Sequence, residues 1–435
     1  MMKRFYKFAL GTATVSLVMA ASLQSVSVAS DGPPVTAGPP SVLGLLGNGP
    51  WQVDNNTAGV NRACAASSTD ASCNALVLEP DTTPGQSPFG TSGLGRAKHD
   101  GTFGSNYLAL SPAQIITAYN FPTTNSTGGL PGTGKTIAIV DAYDDPSIAS
   151  DLATFDTQFG IPQLASCVIT PTSGPCLQKV NWQGGTTYPA YDQGWAMEIS
   201  LDVEWAHAIA PGASILLVEA NSNQWPDLVR SLPYASAHAQ YVSMSFGGTE
   251  LSGEKTYDLG FTSTSTSYFA AAGDTGLGTE WPSTSPKVIS VGATTLNLTT
   301  SGTISSETGW TSGSGGCSTY ETATTNQASY PTYAQVSCAG KKATPDVAAD
   351  GDPNTGGYVY NSNNYYGTTG WFTVGGTSLA TPIWAARAAN SGVTINSAYI
   401  YGTNTINFHD ITVGGNSAGC LVGLDLSTGL GSWNN

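Results

Sequence analysis

Short apolar segments that alternate with helical patterns constrain the fold of this chain more than any other feature. Segment 136–141 is typical of a buried strand ending at Asp141, and the helical pattern of 195–210 leads directly into an apolar segment at 213–220. Further short strands are predicted at 241–248, 267–276 and 287–294. A repeated order of strand, helix and strand indicates parallel strands joined by helical crossovers. The sequence therefore predicts an α/β fold with a mostly parallel central sheet flanked by helices.

Three segments of different composition divide the 435-residue chain. Residues 1–29 combine basic residues, an apolar stretch and small residues before a predicted cleavage after Ala29, as in a secretory signal peptide. A membrane anchor is the alternative, although the apolar stretch is short for a bilayer span. Residues 30–108 are rich in Pro, Gly, Ser, Thr and Asn, which predicts a loosely structured extension or short pro-segment. Residues 109–435 carry the periodic patterns and are predicted to form the folded domain, beginning with a helix after Ser111.

The charge balance excludes two classes of partner. The chain has 14 basic and 29 acidic residues, a formal net charge of -15. Such a chain repels nucleic acid and anionic lipid, so we expect neither as a partner. Together with the signal peptide, this predicts a secreted, acidic protein that binds no nucleic acid and no membrane, and we expect it to be a monomer.

The 7 cysteines are consistent with export to an oxidising environment. Their spacing suggests three local disulfides and leaves Cys420 unpaired, although spacing alone does not fix the connectivity. The suggested pairs are Cys64–Cys73, Cys167–Cys176 and Cys317–Cys338.

The strongest local motif is VGGTSLATPIWAAR at 374–387. A Gly-rich turn that enters a helix places the hydroxyl of Ser378 at the helix N-terminus, where the dipole favours a developing oxyanion. Ser378 is therefore a candidate nucleophile. The alternative interpretation is an ordinary helix cap.

A nucleophilic serine needs a base. The predicted helix 195–210 offers two alternatives, a pair of carboxylates and a histidine. Glu198 and Asp202 are four residues apart and share a helix face beside an apolar stripe, so one carboxyl of the pair is expected to have a raised pKa. A solvated acidic face is the alternative interpretation, and we expect Asp192 and Glu204 to be solvated charges. His207 is the other candidate base, because Asp141, His207 and Ser378 follow the chain order of subtilisin-type proteases.

A further carboxyl group lies at the end of a predicted strand, in the segment AAAGDTG. If Asp274 has a raised pKa or works in an acidic medium, its protonated form can donate a hydrogen bond to an oxyanion. An Asp that begins an ordinary turn is the alternative.

These pieces together resemble the sedolisin family of serine-carboxyl peptidases, which are secreted proteases on a subtilisin-like three-layer fold. The resemblance covers roughly residues 109–431. It rests on EISLDVEWAHAIAPGA, SMSFGG, AAAGDTG, PDVAADGDPNTGGYVY, GGTSLATP and the C-terminal HDITVGGN…GLDLSTGLGS. The resemblance implies that Ser378 is the nucleophile, Glu198 the general base and acid, Asp202 its orienting partner and Asp274 the oxyanion donor.

The resemblance also implies one structural calcium ion. The matching positions are Asp410, Ile411, Leu421, Gly423 and Asp425, and oxygen ligands from a Gly-rich loop suit this cation. Two departures from the family pattern concern this site: Leu421 stands where the family has the first glycine of a Gly-x-Gly pair, and the intervening loop is short. A third departure is that only about 80 residues, expected to be loosely structured, lie between the predicted signal peptide and Leu110, where members of the family usually carry a large folded pro-domain.

The resulting expectation is a secreted serine-carboxyl endopeptidase that hydrolyses proteins or peptides at acidic pH through an acyl-enzyme. Two alternatives stay open at this stage. One is a subtilisin-type peptidase that uses Asp141, His207 and Ser378, and whose activity would peak near pH 8. The other is a non-catalytic secreted binding protein on a peptidase fold, which the short pro-region would explain.

Overall fold

A computed structural model of the chain describes residues 60–78, 109–167, 174–402 and 407–434. The predicted signal peptide with its cleavage site, and most of the predicted extension, lie outside these residues. Across the described ranges, no helix combines the length and the apolarity that crossing a membrane requires.

The helices and strands of the described residues alternate through most of the chain. The α-helices are α1 (Pro112–Ala118), α2 (Ile148–Phe159), α3 (Gln193–Ile209), α4 (Trp225–His238), α5 (Glu254–Tyr257), α6 (Thr325–Ala328), α7 (Thr377–Ser391) and α8 (Ser397–Tyr401). Short 3-10 helices span Asp258–Gly260 and Tyr333–Val336. The strands are β1 (Val60–Arg62), β2 (Ser72–Cys73), β3 (Leu76–Leu78), β4 (Thr136–Ala142), β5 (Leu177–Asn181), β6 (Ser214–Ala220), β7 (Tyr241–Met244), β8 (Phe246–Thr249), β9 (Ser267–Ala271), β10 (Glu280–Trp281), β11 (Ile289–Leu298), β12 (Ile304–Gly309), β13 (Gly316–Thr322), β14 (Lys341–Thr344), β15 (Val347–Asp350), β16 (Gly357–Tyr365), β17 (Thr368–Gly375), β18 (Asn407–His409) and β19 (Ser432–Asn434).

The central sheet has the order β12-β11-β9-β7-β4-β6-β5, and β15 also pairs with β11. All of these strands run parallel except β12, which is antiparallel to β11. Every residue of β4 after Thr136 is buried, so both faces of the sheet are covered, as parallel sheets require. Helices α3 and α7 pack against each other and against the sheet, and α4 packs on β4 and β6. The predicted α/β fold with a mostly parallel sheet is confirmed.

Helix α3 differs from its prediction because it is buried on all sides. Asp192 caps its N-terminus and accepts hydrogen bonds from the N–H groups of Gly194 and Trp195 at 2.9 and 3.0 Å. The expectation of a solvated Glu204 is wrong: this side chain is 0% exposed, and its Oε2 accepts from the Tyr360 N–H at 3.0 Å. The helix lies between the sheet and the β16–β17 hairpin, which covers the face predicted to meet solvent.

Residues 60–78 lie within the segment expected to be loosely structured, and for them that expectation does not hold. Strand β3 extends the β16–β17 hairpin into a sheet of order β1-β3-β17-β16, and β2 joins β8 and β10 in a separate sheet. The disulfide Cys64–Cys73 closes this segment on itself. Composition alone missed these strands because each is only 2 or 3 residues long and shows no periodicity.

The predicted disulfides are all present in the structure. Besides Cys64–Cys73, the bonded pairs are Cys167–Cys176 and Cys317–Cys338. Cys420 is an unbonded, half-buried thiol, as its leftover position in the spacing predicted.

Candidate active site

Strand β17 and helix α7 position the candidate nucleophile. Gly376 joins them with a φ of 97°, a left-handed conformation that suits glycine, and Ser378 is the second residue of the helix. The Ser378 side chain is fully buried, and its Oγ donates to the carbonyl oxygen of Ser245 at 3.1 Å. Ser245 is the residue at which the predicted strand 241–248 breaks into β7 and β8.

Helix α3 packs beside α7 and carries the two candidate carboxylates. Glu198 and Asp202 are both 0% exposed, and Asp202 Oδ1 accepts from Ser245 Oγ at 2.8 Å. Burial raises the pKa of Glu198 well above its ordinary value; the charges of Asp202 and Asp141 raise it further, whereas the Ser378 hydroxyl lowers it. Burial likewise raises the pKa of Asp202 well above its ordinary value.

Asp141, at the end of β4, adds a third carboxyl group to this cluster. It is 0% exposed, neither of its oxygens has a hydrogen-bond partner, and burial raises its pKa to about 8. The charge of Asp141 raises the pKa of both Glu198 and Asp202, and three carboxyl groups that repel one another in this way do not all ionise together. The first proton leaves most easily, so the cluster can hold a single negative charge next to Ser378.

Asp274 lies beyond the end of β9 and contacts Thr377, the residue that precedes Ser378. Its Oδ1 accepts from the Thr377 N–H at 2.8 Å and from Thr377 Oγ1 at 2.9 Å, while its Oδ2 is buried without a partner. Burial raises the pKa of Asp274 to about 7, against the opposing effect of the Thr377 N–H. Below that pH the carboxyl group is protonated, and its free oxygen can donate a hydrogen bond.

Asn74 bridges Ser378 and Ser245 through its backbone. Its carbonyl oxygen accepts from the Ser378 N–H at 3.0 Å, and its N–H donates to the Ser245 carbonyl at 3.1 Å. Its side-chain Nδ2 donates to Glu280 Oε2 at 3.0 Å. Sequence reasoning missed Asn74 and Glu280; the only signal near Asn74 was the close spacing of Cys64 and Cys73.

His207 does not join this arrangement. Its Nε2 lies 2.9 Å from the carbonyl oxygen of Pro162 and 3.5 Å from Asp156 Oδ2, on the side of α3 that faces α2. The structure therefore brings Asp141 close to the Ser378 site but does not assemble Asp141, His207 and Ser378 as a triad.

The five predicted calcium ligands lie in one loop region near the C-terminus. Asp425 accepts from the Leu421 N–H at 3.0 Å, and Asp410 Oδ2 accepts from the Gly423 N–H at 2.9 Å. Asp410 Oδ1 is buried without a partner, and Ile411 is 1% exposed. This free carboxylate oxygen fits a hard cation. The described ranges hold no group of three or more His, Cys, Asp or Glu side chains that could bind a metal by themselves, so carbonyl oxygens would have to complete the site.

Comparison with known proteins gives consistent matches. The subtilase family profile matches residues 194–396, which include Glu198, Asp202, Asp274 and Ser378. Kumamolisin from Bacillus sp. (strain MN-32) is 29% identical over 368 residues, covering 74% of this chain and 62% of its own length. Sedolisin from Pseudomonas sp. (strain 101) is 36% identical over 178 residues, covering 35% of this chain and 28% of its own length.

The solved structure of Pseudomonas sedolisin in complex with pseudo-iodotyrostatin shows the same fold. It superposes with a TM-score of 0.61 at 24% sequence identity, over 76% of this chain and 96% of that one. The sequence matches span about three fifths of the length of kumamolisin and less than a third of the length of sedolisin.

Proposed function

We propose that this chain, which is similar to the sedolisin-type peptidases, is a secreted serine-carboxyl endopeptidase that hydrolyses protein or peptide substrates at acidic pH. The observation that carries this proposal is that the Ser378 hydroxyl lies close enough to the buried Glu198 carboxyl to influence its pKa, while the Ser378 N–H and the free oxygen of Asp274 both lie near the Asn74 carbonyl. A nucleophile, an oxyanion donor and a base are the three functions that acyl transfer requires.

In the proposed reaction, Ser378 Oγ attacks the scissile carbonyl carbon while Glu198 takes its proton. Asp202 and Asp141 surround Glu198 and keep the net charge of the cluster low. The oxyanion is stabilised by the Ser378 N–H and the protonated Asp274. Glu198 then gives the proton to the leaving amine, and a water molecule hydrolyses the acyl-enzyme by the reverse sequence of proton transfers.

The acidic pH of the proposed activity follows from the two kinds of carboxyl group involved. The Asp274 donor works only while protonated, so activity is lost as the pH rises through its pKa of about 7. The base needs one ionised carboxyl in the cluster of Glu198, Asp202 and Asp141, so activity also falls at low pH, where the last charge is neutralised.

We further propose that one calcium ion binds the C-terminal loop. The carboxylates of Asp410 and Asp425 and the carbonyl oxygens of Ile411, Leu421 and Gly423 would hold it, and the free Asp410 Oδ1 supports this assignment. The ion would stabilise the loop and takes no part in the chemistry.

The direct test is cleavage of a denatured protein by the purified chain between pH 3 and 8, with Ser378→Ala in parallel. We expect cleavage only on the acidic side of about pH 7 and none from Ser378→Ala. Activity that peaks at pH 8 would contradict the role of Asp274. Absence of cleavage at every pH, from a folded protein with calcium present, would favour a binding protein on a peptidase fold.

A further inference from the structure

The segment 71–76 crosses the candidate active site in the way a peptide substrate would. We propose that this segment is an intramolecular ligand of the cleft, which has to leave before a substrate can bind. The inference rests on the proposed function, because it takes the groups around Ser378 to be the catalytic site.

The backbone contacts of the segment are those expected of a substrate strand. Strand β2 pairs antiparallel with β8, with Ser72 opposite Gly247 and Cys73 opposite Phe246. The next residue, Asn74, donates its N–H to Ser245 and accepts from the Ser378 N–H at its carbonyl. One N–H of the candidate oxyanion site is therefore already bonded to a carbonyl of the chain itself.

The position of the Asn74 carbonyl also matches the second oxyanion donor. A Cβ built on Gly376 would lie 2.1 Å from the Asn74 carbonyl oxygen and 2.5 Å from Asp274 Oδ2. Both oxygens thus converge on the same small volume above Gly376, where a glycine is required. A protonated Asp274 can donate to the Asn74 carbonyl there, as it would to the carbonyl of a substrate.

The side chain of Asn74 is buried against Glu280. Its amide donates to Glu280 Oε2 at 3.0 Å. A Cβ on Gly247 would lie 2.3 Å from Glu280 Oε2 and 3.1 Å from Asn74 Nδ2, so glycine makes room for this pair. A substrate residue at the same position would meet Glu280 as a hydrogen-bond acceptor, which favours side chains that donate hydrogen bonds.

The segment is held on both sides of Asn74. Before it, the Cys64–Cys73 disulfide fixes β2, and the Ala71 N–H donates to the Asn223 carbonyl at 3.0 Å. After it, β3 pairs with β17, and Leu76 packs in an apolar cluster with Trp310. Because the segment is part of the chain, it competes with every substrate at a constant effective concentration. Weakening its attachment therefore raises the fraction of the protein whose cleft is open to substrate.

The test compares two disulfides that each close a loop of the same length. Cys64–Cys73 and Cys167–Cys176 both have a sequence separation of 9, but only the first holds the segment in the cleft. We expect the double variant Cys64→Ser/Cys73→Ser to lower the apparent KM about tenfold with little change in kcat. The control Cys167→Ser/Cys176→Ser should leave KM unchanged. The substrate is an internally quenched peptide with the sequence of residues 70–78 and serine in place of Cys73.

A second variant keeps the proposal testable if loss of the disulfide prevents folding. Asn74→Leu has nearly the same volume but leaves Glu280 without its donor, and it should lower KM in the same direction, by roughly tenfold. If KM is the same in wild type, Asn74→Leu and the Cys64/Cys73 variant, or falls equally in the Cys167/Cys176 control, the segment does not occupy the cleft as proposed.

Binding without turnover separates this inference from the proposed function. In a Ser378→Ala background, affinity for the unlabelled peptide is measured by calorimetry for the same variants. Tighter binding after Cys64/Cys73 or Asn74 substitution, without cleavage by any Ser378-containing protein, would uphold the occluding segment and overturn the peptidase. Normal cleavage with equal peptide affinities would do the reverse.

Discussion

Helix α3 carries two sets of buried carboxyl groups, and only one of them can do chemistry. Glu198 and Asp202 lie beside Asp141 and face Ser378. One turn and a half further along, Glu204 is just as buried and its pKa is also raised well above the ordinary value by burial. The Glu204 carboxyl, however, accepts from the Tyr360 N–H in the β16–β17 hairpin. A raised pKa by itself therefore marks burial. The neighbouring nucleophile distinguishes the site, together with Glu198, both of whose oxygens lack a hydrogen-bond partner whereas Glu204 has one bonded oxygen.

The most direct test of this difference is the same substitution at Glu198 and at Glu204. We expect Glu198→Gln to lower kcat/KM about 10³-fold because the serine loses its base. Glu204→Gln should change kcat/KM by less than about threefold, since an amide can keep the Tyr360 contact. Steady-state kinetics near the pH optimum provide the measurement, with circular dichroism to verify folding. Equal losses of kcat/KM in both variants would show that activity is sensitive to any change in α3, and would contradict a specific role for Glu198.

Asp274 extends the comparison to the other side of Ser378. Asp274→Ala should lower kcat about 10²-fold, because one oxyanion donor is lost. Asp274→Asn keeps a donor but cannot ionise, so we expect part of the activity to remain and its fall near pH 7 to disappear. A pH–rate profile in which Asp274→Asn keeps the wild-type decline would assign that decline to another group.

The buried carboxyl groups of the site and Glu204 should influence stability with the same sign. A carboxyl whose pKa is raised on folding stabilises the protein fully below its ordinary pKa near 4, and this stabilisation is lost as the pH rises through the raised value. With Asp274 at about 7 and Asp141 at about 8, we expect Tm to fall by at least about 5 °C between pH 4 and 8. Calorimetric scans of Asp141→Asn and Glu204→Gln should show a weaker decline than wild type. A Tm that rises over this range would contradict the assignment.

The smallest effect is expected at Asp410, a half-buried carboxylate in the C-terminal loop. If calcium occupies the C-terminal loop, a chelator should lower Tm by a few degrees at pH 5, and added calcium should restore it. Asp410→Asn should have a lower Tm and no response to the chelator. A wild-type protein whose Tm ignores both chelator and calcium would argue against the site.

Much of the site could be predicted because its residues lie in local patterns. Glu198 and Asp202 share a helix face by their spacing, and Ser378 follows a Gly-rich turn into a helix. What could not be predicted is which surfaces cover these elements. The solvated Glu204 was a wrong expectation because the β16–β17 hairpin, more than 150 residues away in sequence, packs over that face of α3.

The sequence by itself determined the α/β class and the mostly parallel sheet, since hydrophobic periodicity is a local property of the chain, and cysteine spacing suggested the three disulfide pairs that the structure contains. Only the tertiary structure decided that Asp141 joins Glu198 and Asp202, that His207 turns towards Asp156, and that Asn74 lies against Ser378. The physical reason is that these contacts depend on long-range packing. The raised pKa values come from desolvation and charge repulsion, which depend on the groups that the fold brings together. A strand as short as β2 forms because of its partner β8 more than because of its own residues.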